Sequence, residues 1–98
     1  ISAEEFKSKR VNEQLTIIDV RETDEMPEVN EFSFTRINMN EFEKKALNIP
    51  TDKKIIIYCK TGLRSLTAVK ILKENFPEAE VFSLKGGIEN WKKIKNGI

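Results

Sequence analysis

A short apolar run near the middle of the chain constrains the fold more than any other feature of the sequence. Residues 54–59 read KIIIYC and follow the turn-forming sequence PTDKK, so three consecutive β-branched isoleucines predict a strand buried on both faces. The next segment, 63–76, predicts an amphipathic helix that ends near Pro77. Its large apolar residues recur at helical spacing: Leu66, Val69, Leu72 and Phe76. A buried strand followed at once by such a helix predicts a parallel βα unit.

The same alternation of strand and helix runs through the rest of the chain. Further strands are predicted at LTIIDV (15–20), TRINM (35–39) and AEVFSL (79–84). The first helix is predicted at SAEEFKSK, where Ser2 and Glu5 form a capping box. A second is predicted at NEFEKKAL (40–47), with an Asn40 N-cap and with Phe42, Ala46 and Leu47 on one face. A last helix follows Gly86-Gly87, interpreted as a backbone turn, and carries Ile88, Trp91 and Ile94. This order predicts an α/β fold.

Composition limits the classes of function. The 98 residues fit one domain, residues 1–98, and because the chain begins at Ile1 rather than Met we leave open that this domain is a module of a longer protein. Lys and Arg number 17 against 16 Asp and Glu, so the formal charge of +1 gives no general attraction to nucleic acid or to an anionic membrane.

The content of cysteine and histidine narrows the chemistry further. One cysteine forms no internal disulfide, and the absence of histidine argues against a zinc site, so we expect neither metal nor cofactor. No apolar run is long enough to cross a bilayer, and no signal-peptide pattern is visible. These features favour a reducing cytoplasm.

The only cysteine, Cys59, ends the central predicted strand, and ligands of open α/β sheets bind where such strands end and the following helices begin. Backbone N–H groups of a tight loop and the N-terminus of a helix both favour thiolate over thiol, which lowers a cysteine pKa from about 8.5. Gly62 lets the loop turn, Lys60 and Arg64 offer charge to an anionic substrate, and Thr61 or Ser65 offers a hydroxyl donor.

A less specific interpretation competes with this one. A lone cysteine is often an inert core residue, and lysines and Ser or Thr caps are common at helix starts. The concentration of Lys, Thr, Gly, Arg and Ser within residues 60–65 favours a reactive cysteine.

At this point the sequence resembles the rhodanese (thiosulfate sulfurtransferase) family in its small single-domain form. Three segments carry the resemblance over essentially the whole chain: LTIIDVRE, IIIYCKTGLRS and VFSLKGGIENWKK. Each motif alone is weak, whereas the three in this order are specific. The resemblance implies a three-layer α/β/α fold with a mostly parallel sheet of four to five strands. The sequence patterns predict four strands, so a fifth edge strand would lie at or before Ile1.

The resemblance also implies a reaction. Cys59 would take a sulfane sulfur as a persulfide and pass it to a thiophilic acceptor. The residues of the following loop would form a cradle for that sulfur: Lys60, Thr61, Gly62, Leu63, Arg64 and Ser65. The donor would be thiosulfate or a protein persulfide, and the acceptor cyanide, a thiol or a carrier protein.

The related dual-specificity phosphatases use a cysteine loop one residue longer, with the spacing Cys-x5-Arg. Cys59 and Arg64 enclose four residues, and the smaller loop suits a sulfur atom rather than a tetrahedral phosphate. The loop length therefore argues against phosphatase activity.

One segment departs from the family pattern. Where relatives usually carry GHIPGA and an extra arginine, this chain has EMPEVNEFSFTR, without Gly or His and with carboxylates instead. The atypical 23–34 segment leaves the donor open and motivates an alternative function, in which the domain binds a partner or delivers sulfur with little turnover of small molecules.

Asp19 and Arg21 lie at the end of another predicted strand that borders the same crevice, and their period of two places them on one face. They support the site either by orienting the loop or substrate or, as we favour, through an ion-paired network that closes the end of the sheet.

Overall fold

A four-stranded sheet forms the centre of the molecule in the computed structural model, which describes residues 1–96. The strands are β1 (Leu15–Asp19), β2 (Thr35–Arg36), β3 (Lys54–Tyr58) and β4 (Val81–Ser83). All pair in parallel, in the order β2-β1-β3-β4. Because Asp19 lies beside Tyr58 and Ile57 beside Ser83, the carboxyl ends of the three longer strands meet at one edge of the sheet.

Four α-helices connect and cover the strands. They are α1 (Ala3–Asn12), α2 (Met39–Lys45), α3 (Leu63–Asn75) and α4 (Gly87–Asn96), and a 3-10 turn at Ala46–Asn48 follows α2. The predicted capping box at the start of α1 is confirmed, since Ser2 Oγ accepts the Glu5 N–H and the Glu5 carboxylate accepts the Ser2 N–H. None of the helices in the described residues is both long and apolar enough to span a membrane.

Alternation along the strands divides the core into two layers. Ile18, Ile55 and Ile57 pack on one face with residues of α2 and α3, including Phe42, Ala68 and Leu72. Ile17, Ile56 and Tyr58 pack on the other face with residues of α1 and α4, including Phe6, Ile88 and Trp91. The predicted three-layer α/β/α fold is confirmed, with four of the expected four to five strands in residues 1–96. Ile1 lies at the outer edge of β4, where it donates to Ser83 O and accepts from the Lys85 N–H, both at 2.7 Å.

Two predicted helix faces are wrong in detail. Leu66 is 58% exposed, because α3 turns the small residues Ser65 and Ala68 toward the sheet instead. Leu47 is 66% exposed and lies in the 3-10 turn, beyond the end of α2. The N-cap of α2 is Asn38 rather than Asn40, so the helix begins one residue before the predicted segment.

Candidate active site

Cys59 lies directly after β3, at the edge of the sheet where the parallel strands end. Its side chain is almost fully buried, with 1% of the residue exposed. Two backbone groups of the following loop point at the sulfur: the Gly62 N–H at 3.1 Å and the Ser65 N–H at 3.4 Å. Gly62 is the N-cap of α3 and has φ of +103°, a conformation that glycine adopts without the steric cost of a Cβ. The loop therefore forms the predicted amide cradle around one atom.

The cradle changes the acidity of the thiol. Burial alone disfavours the charged form and would raise the pKa of Cys59. Hydrogen bonds from the Ser65 amide and hydroxyl, and from the amides of Gly62 and Thr61, outweigh burial and hold the pKa of Cys59 below its ordinary value. The cradle thus favours the thiolate form of Cys59 over the thiol.

The Ser65 hydroxyl contributes through a short polar chain. Its Oγ lies 3.6 Å from the Cys59 sulfur, 3.1 Å from Gly62 O and 2.6 Å from Ser83 Oγ. When Ser83 donates to Ser65, the single Ser65 proton is free to point at the thiolate or at Gly62 O. Ser83 was not predicted from the sequence, because only the pairing of β3 with β4 brings it to the site.

The N-terminus of α4 holds the same loop from behind. The Ile88 N–H donates to Cys59 O at 2.9 Å, and the Glu89 N–H donates to Lys60 O at 3.1 Å. Gly87 has φ of +66°, and a Cβ there would collide with Lys60 O and lie 2.6 Å from Cys59 O. The prediction that Gly86-Gly87 serve a backbone turn agrees with this geometry, in which glycine permits a close approach of two backbones.

Three residues of the loop have side chains that are largely exposed to solvent. Thr61 and Leu63 are exposed, and Lys60 is half exposed, 3.9 Å from a Glu89 oxygen. Leu63 and Leu66 line an open groove beside β4. Lys60 therefore lies on the rim of the site rather than in the cradle.

Arg64 pairs with Glu25, a partner that was not predicted from the sequence. Its Nη1 and Nη2 donate to the two carboxylate oxygens of Glu25 at 2.6 and 2.7 Å. This bidentate pair holds the pKa of Glu25 at about 2, so the carboxylate stays charged. The only local indication was the acidic character of the segment after β1, because the two residues are 39 positions apart.

Asp19 and Arg21 form the predicted ion-paired network at the end of the sheet. Both are fully buried, and Arg21 donates to Asp19 through Nη2 at 3.0 Å and through Nε at 3.2 Å. Arg36 adds a 2.7 Å ion pair to the same carboxylate. Burial opposes ionisation of Asp19, but these hydrogen bonds hold its pKa below the usual value. Burial and the Asp19 charge raise the pKa of the neighbouring Tyr58.

This network also anchors the acidic segment. Arg21 Nη1 donates to Pro27 O at 2.9 Å, and Arg36 Nη1 donates to Thr23 O at 3.2 Å. Arg21 and Arg36, which both pair with Asp19, thus tie the segment that carries Glu25 to the end of the sheet. Within residues 1–96, no group of three or more His, Cys, Asp or Glu side chains is arranged to hold a metal ion.

The rhodanese-like domain family model matches residues 2–94, nearly the whole chain. The chain belongs to the rhodanese family. Cys59 and the six loop residues after it, 60–65, lie in IIIYCKTGLRS, one of the three segments that carry the sequence resemblance.

Relatives and solved structures agree with this assignment. This rhodanese domain is 32% identical to Bacillus subtilis YqhL over 91 residues, which cover 93% of this chain and 70% of YqhL. It is 28% identical to the thiosulfate sulfurtransferase GlpE of Coxiella burnetii over 93 residues, which cover 94% of this chain and 82% of GlpE. The crystal structure of a rhodanese-related protein from Thermoplasma volcanium superposes with a TM-score of 0.81 at 26% identity, covering 96% of this chain and 90% of that one. Family and relatives support sulfur transfer as the general class of reaction.

Proposed function

We propose that residues 1–98 act as one sulfurtransferase domain that carries a sulfane sulfur as a persulfide on Cys59. The observation that carries the proposal is the convergence of the Gly62 and Ser65 amides on one buried sulfur, at 3.1 and 3.4 Å. Hydrogen-bond donors fixed in place before the reaction stabilise developing negative charge without reorganising, and this stabilisation commonly contributes more to catalysis than any other effect.

In the first step the Cys59 thiolate attacks the outer sulfur of the donor. With thiosulfate, a bond forms between Sγ and the outer sulfur, the donor's S–S bond breaks, and sulfite leaves with the bonding electron pair. With a persulfide R–S–SH, the thiolate R–S⁻ leaves in the same way and Cys59 becomes Cys–S–SH. Neither version needs an external oxidant, because one S–S bond replaces another.

In the second step a nucleophilic acceptor attacks the outer sulfur of the Cys59 persulfide. Cyanide would leave as thiocyanate, and a thiol acceptor would leave as a persulfide, in each case returning the Cys59 thiolate. The loop amides that hold the thiolate at rest would stabilise it again as the leaving group.

Intact mass after incubation with thiosulfate or a small persulfide tests the proposal. We expect a gain of one sulfur, about 32 Da, that is lost on adding cyanide or a reductant. Cys59→Ser should show no such gain while melting like the wild type, because a hydroxyl is not appreciably ionised near neutral pH. Sulfur transfer by Cys59→Ser near the wild-type rate would remove Cys59 from the mechanism.

A sulfur-delivery role is the second candidate, and the Glu25–Arg64 pair favours it. The guanidinium that would bind a small anionic donor already faces a carboxylate at 2.6 and 2.7 Å. In that role Cys59 would accept one sulfur from a protein persulfide, with slow turnover of thiosulfate and cyanide. Fast turnover of these two small molecules would exclude it.

A further inference from the structure

The guanidinium of Arg64 is one of the two cationic groups of the loop, and Glu25 accepts hydrogen bonds from both of its terminal nitrogens. The two N–H···O distances of 2.6 and 2.7 Å describe a bidentate pair, the geometry in which arginine binds carboxylates and other planar or tetrahedral oxyanions. Both partners are partly buried, with 39% of the Arg64 side chain and 23% of the Glu25 side chain exposed. An anionic substrate would have to displace Glu25 to use the same N–H groups.

Glu25 is itself held in place. One of its carboxylate oxygens accepts the Glu22 N–H at 2.8 Å, and the Glu25 N–H donates to Glu22 O at 3.2 Å. The surrounding segment is tied to the sheet by the bonds from Arg21 to Pro27 O and from Arg36 to Thr23 O described above. The carboxylate is therefore positioned before any substrate arrives, and displacing it would break several contacts.

The other charges near the Cys59 loop also disfavour an anionic substrate. Residues 22–31 carry five acidic side chains and no basic one. Of these, Glu22, Asp24 and Glu28 are exposed. The second cation of the loop, Lys60, also faces a carboxylate, Glu89, at 3.9 Å. Both loop cations thus have acidic neighbours, and an approaching dianion meets little uncompensated positive charge.

The charge of Arg64 nevertheless reaches the reacting sulfur. The Glu25 carboxylate raises the pKa of Arg64 most strongly, and the Cys59 thiolate adds to the increase. Arg64 also directly precedes Ser65, whose N–H donates to the Cys59 sulfur at 3.4 Å, so its charge lies close enough to act on an anion bound at the sulfur.

We infer, on the basis of the proposed function, that Glu25 sets the donor specificity of the site. By holding the Arg64 guanidinium, it selects against donors that carry anionic charge beside the sulfane sulfur. The favoured donor class is a thiol persulfide without an oxyanion group next to the transferred sulfur. Glu25 is a specificity-determining residue that acts through Arg64 and does not touch the reacting atoms.

Two donors that differ by one charge test this inference. Thiosulfate is a dianion, whereas the methanethiosulfonate anion, CH3SO2S⁻, carries a methyl group in place of one oxyanion. The Cys59 thiolate takes the outer sulfur from either, releasing sulfite or methanesulfinate. The measured quantity is the ratio of kcat/KM for thiosulfate to kcat/KM for methanethiosulfonate. A difference in Cys59 reactivity between two variants affects both donors and so cancels in this ratio.

Glu25→Gln removes the charge and keeps the shape, and Glu13→Gln is the matched control. Glu13 pairs with Lys54 at the first residue of β3, at the end of the sheet opposite Cys59, so both variants change the net charge equally. At low salt the donor ratio should rise about threefold or more in Glu25→Gln, the order of effect that one unit charge has over a few ångströms in a water-like medium. The increase should shrink at high salt and be absent in Glu13→Gln.

Alkylation of the single cysteine gives a second measurement that does not depend on sulfur transfer. Iodoacetate and iodoacetamide present the same reactive carbon with and without a negative charge, and every modification reports on Cys59. The iodoacetate-to-iodoacetamide rate ratio should rise about threefold in Glu25→Gln and stay at the wild-type value in Glu13→Gln.

The outcomes separate the two proposals. If no donor loads Cys59 but the alkylation ratio rises as expected, the proposed sulfur transfer is wrong and the control of anion access by Glu25 stands. If donors load Cys59 but neither ratio changes in Glu25→Gln, or both change equally in Glu13→Gln, the inference is wrong. An equal loss of rate with both donors would mean that Glu25 only anchors the loop, which also overturns the inference.

Discussion

At Gly87 a single added methyl group would push α4 away from the loop that follows Cys59. A Cβ at this position would collide with Lys60 O and lie 2.6 Å from Cys59 O, and the residue has φ of +66°. Gly87→Ala must therefore adopt a left-handed conformation and also push back the loop. The residues that follow it, Ile88 and Glu89, make the two hydrogen bonds that would lengthen.

The expected cost follows from these contacts. A non-glycine residue in the left-handed region costs about 1–2 kcal/mol, and each weakened hydrogen bond costs about 0.5–1.5 kcal/mol. We expect Gly87→Ala to lower the free energy of unfolding by about 3 kcal/mol, which corresponds to a fall in Tm of about 15 °C for a domain of this size. Because the loop moves, loading of Cys59 with sulfur should slow about a hundredfold, the effect of a displacement of about 1 Å.

Gly86→Ala is the comparison variant. Gly86 has φ of +80°, so the conformational cost is similar, but its Cβ would meet the Cβ of Asn90 at 2.6 Å rather than the active-site loop. Urea unfolding and the rate of persulfide loading, measured where both variants are folded, give the two quantities. Loading of sulfur by Gly87→Ala at the wild-type rate, or an equal slowing in both variants, would contradict a specific effect of Gly87 on the Cys59 loop.

Three further changes test the site and its surroundings. Ser65→Ala removes a hydroxyl donor to the sulfur, so the midpoint of the pH dependence of Cys59 alkylation should move up; an unchanged midpoint would contradict a role for the hydroxyl. Burial opposes ionisation of Glu31, but hydrogen bonds to its carboxylate lower its pKa to about 2. The stability that the charged carboxylate contributes should therefore be complete above about pH 4.5 and be lost as the pH falls toward 2. Between about pH 4.5 and 2, the free energy of unfolding of Glu31→Gln should fall less steeply than that of the wild type. Inserting one residue between Lys60 and Arg64 should slow persulfide loading strongly, because the amides would no longer converge on one sulfur, and should change Tm little. Loading at the original rate, with unchanged vanadate inhibition, would show that loop length does not determine which reaction occurs.

The order of strands and helices could be predicted because each element carries its own periodicity. The isoleucines of β3 and the Ile88, Trp91 and Ile94 spacing of α4 are local patterns, and all four side chains of Ile55–Tyr58 are buried. The face of α3 could not be assigned from large apolar residues alone. Ser65 and Ala68 are small enough to let the helix lie close to the sheet, which leaves Leu66 outside.

The parts of the site differ in how far sequence reveals them. Cys59 and the amides of its loop are contiguous, so the cradle could be predicted from one segment. Asp19 and Arg21 were predictable as a pair because they are only two positions apart, at the end of β1 and just beyond it. Glu25 and Ser83 reach the site only through folding, and no local pattern indicates which cation or hydroxyl either one meets.

The single buried cysteine has a consequence for oxidative damage. Peroxide converts a thiolate to a sulfenic acid, and many proteins stop further oxidation by closing a disulfide with a second cysteine. This chain has no second cysteine, so a Cys59 sulfenic acid would depend on an external thiol for its rescue. Burial to 1% exposure then limits both the oxidant and the rescuing thiol, since both must reach the same buried sulfur.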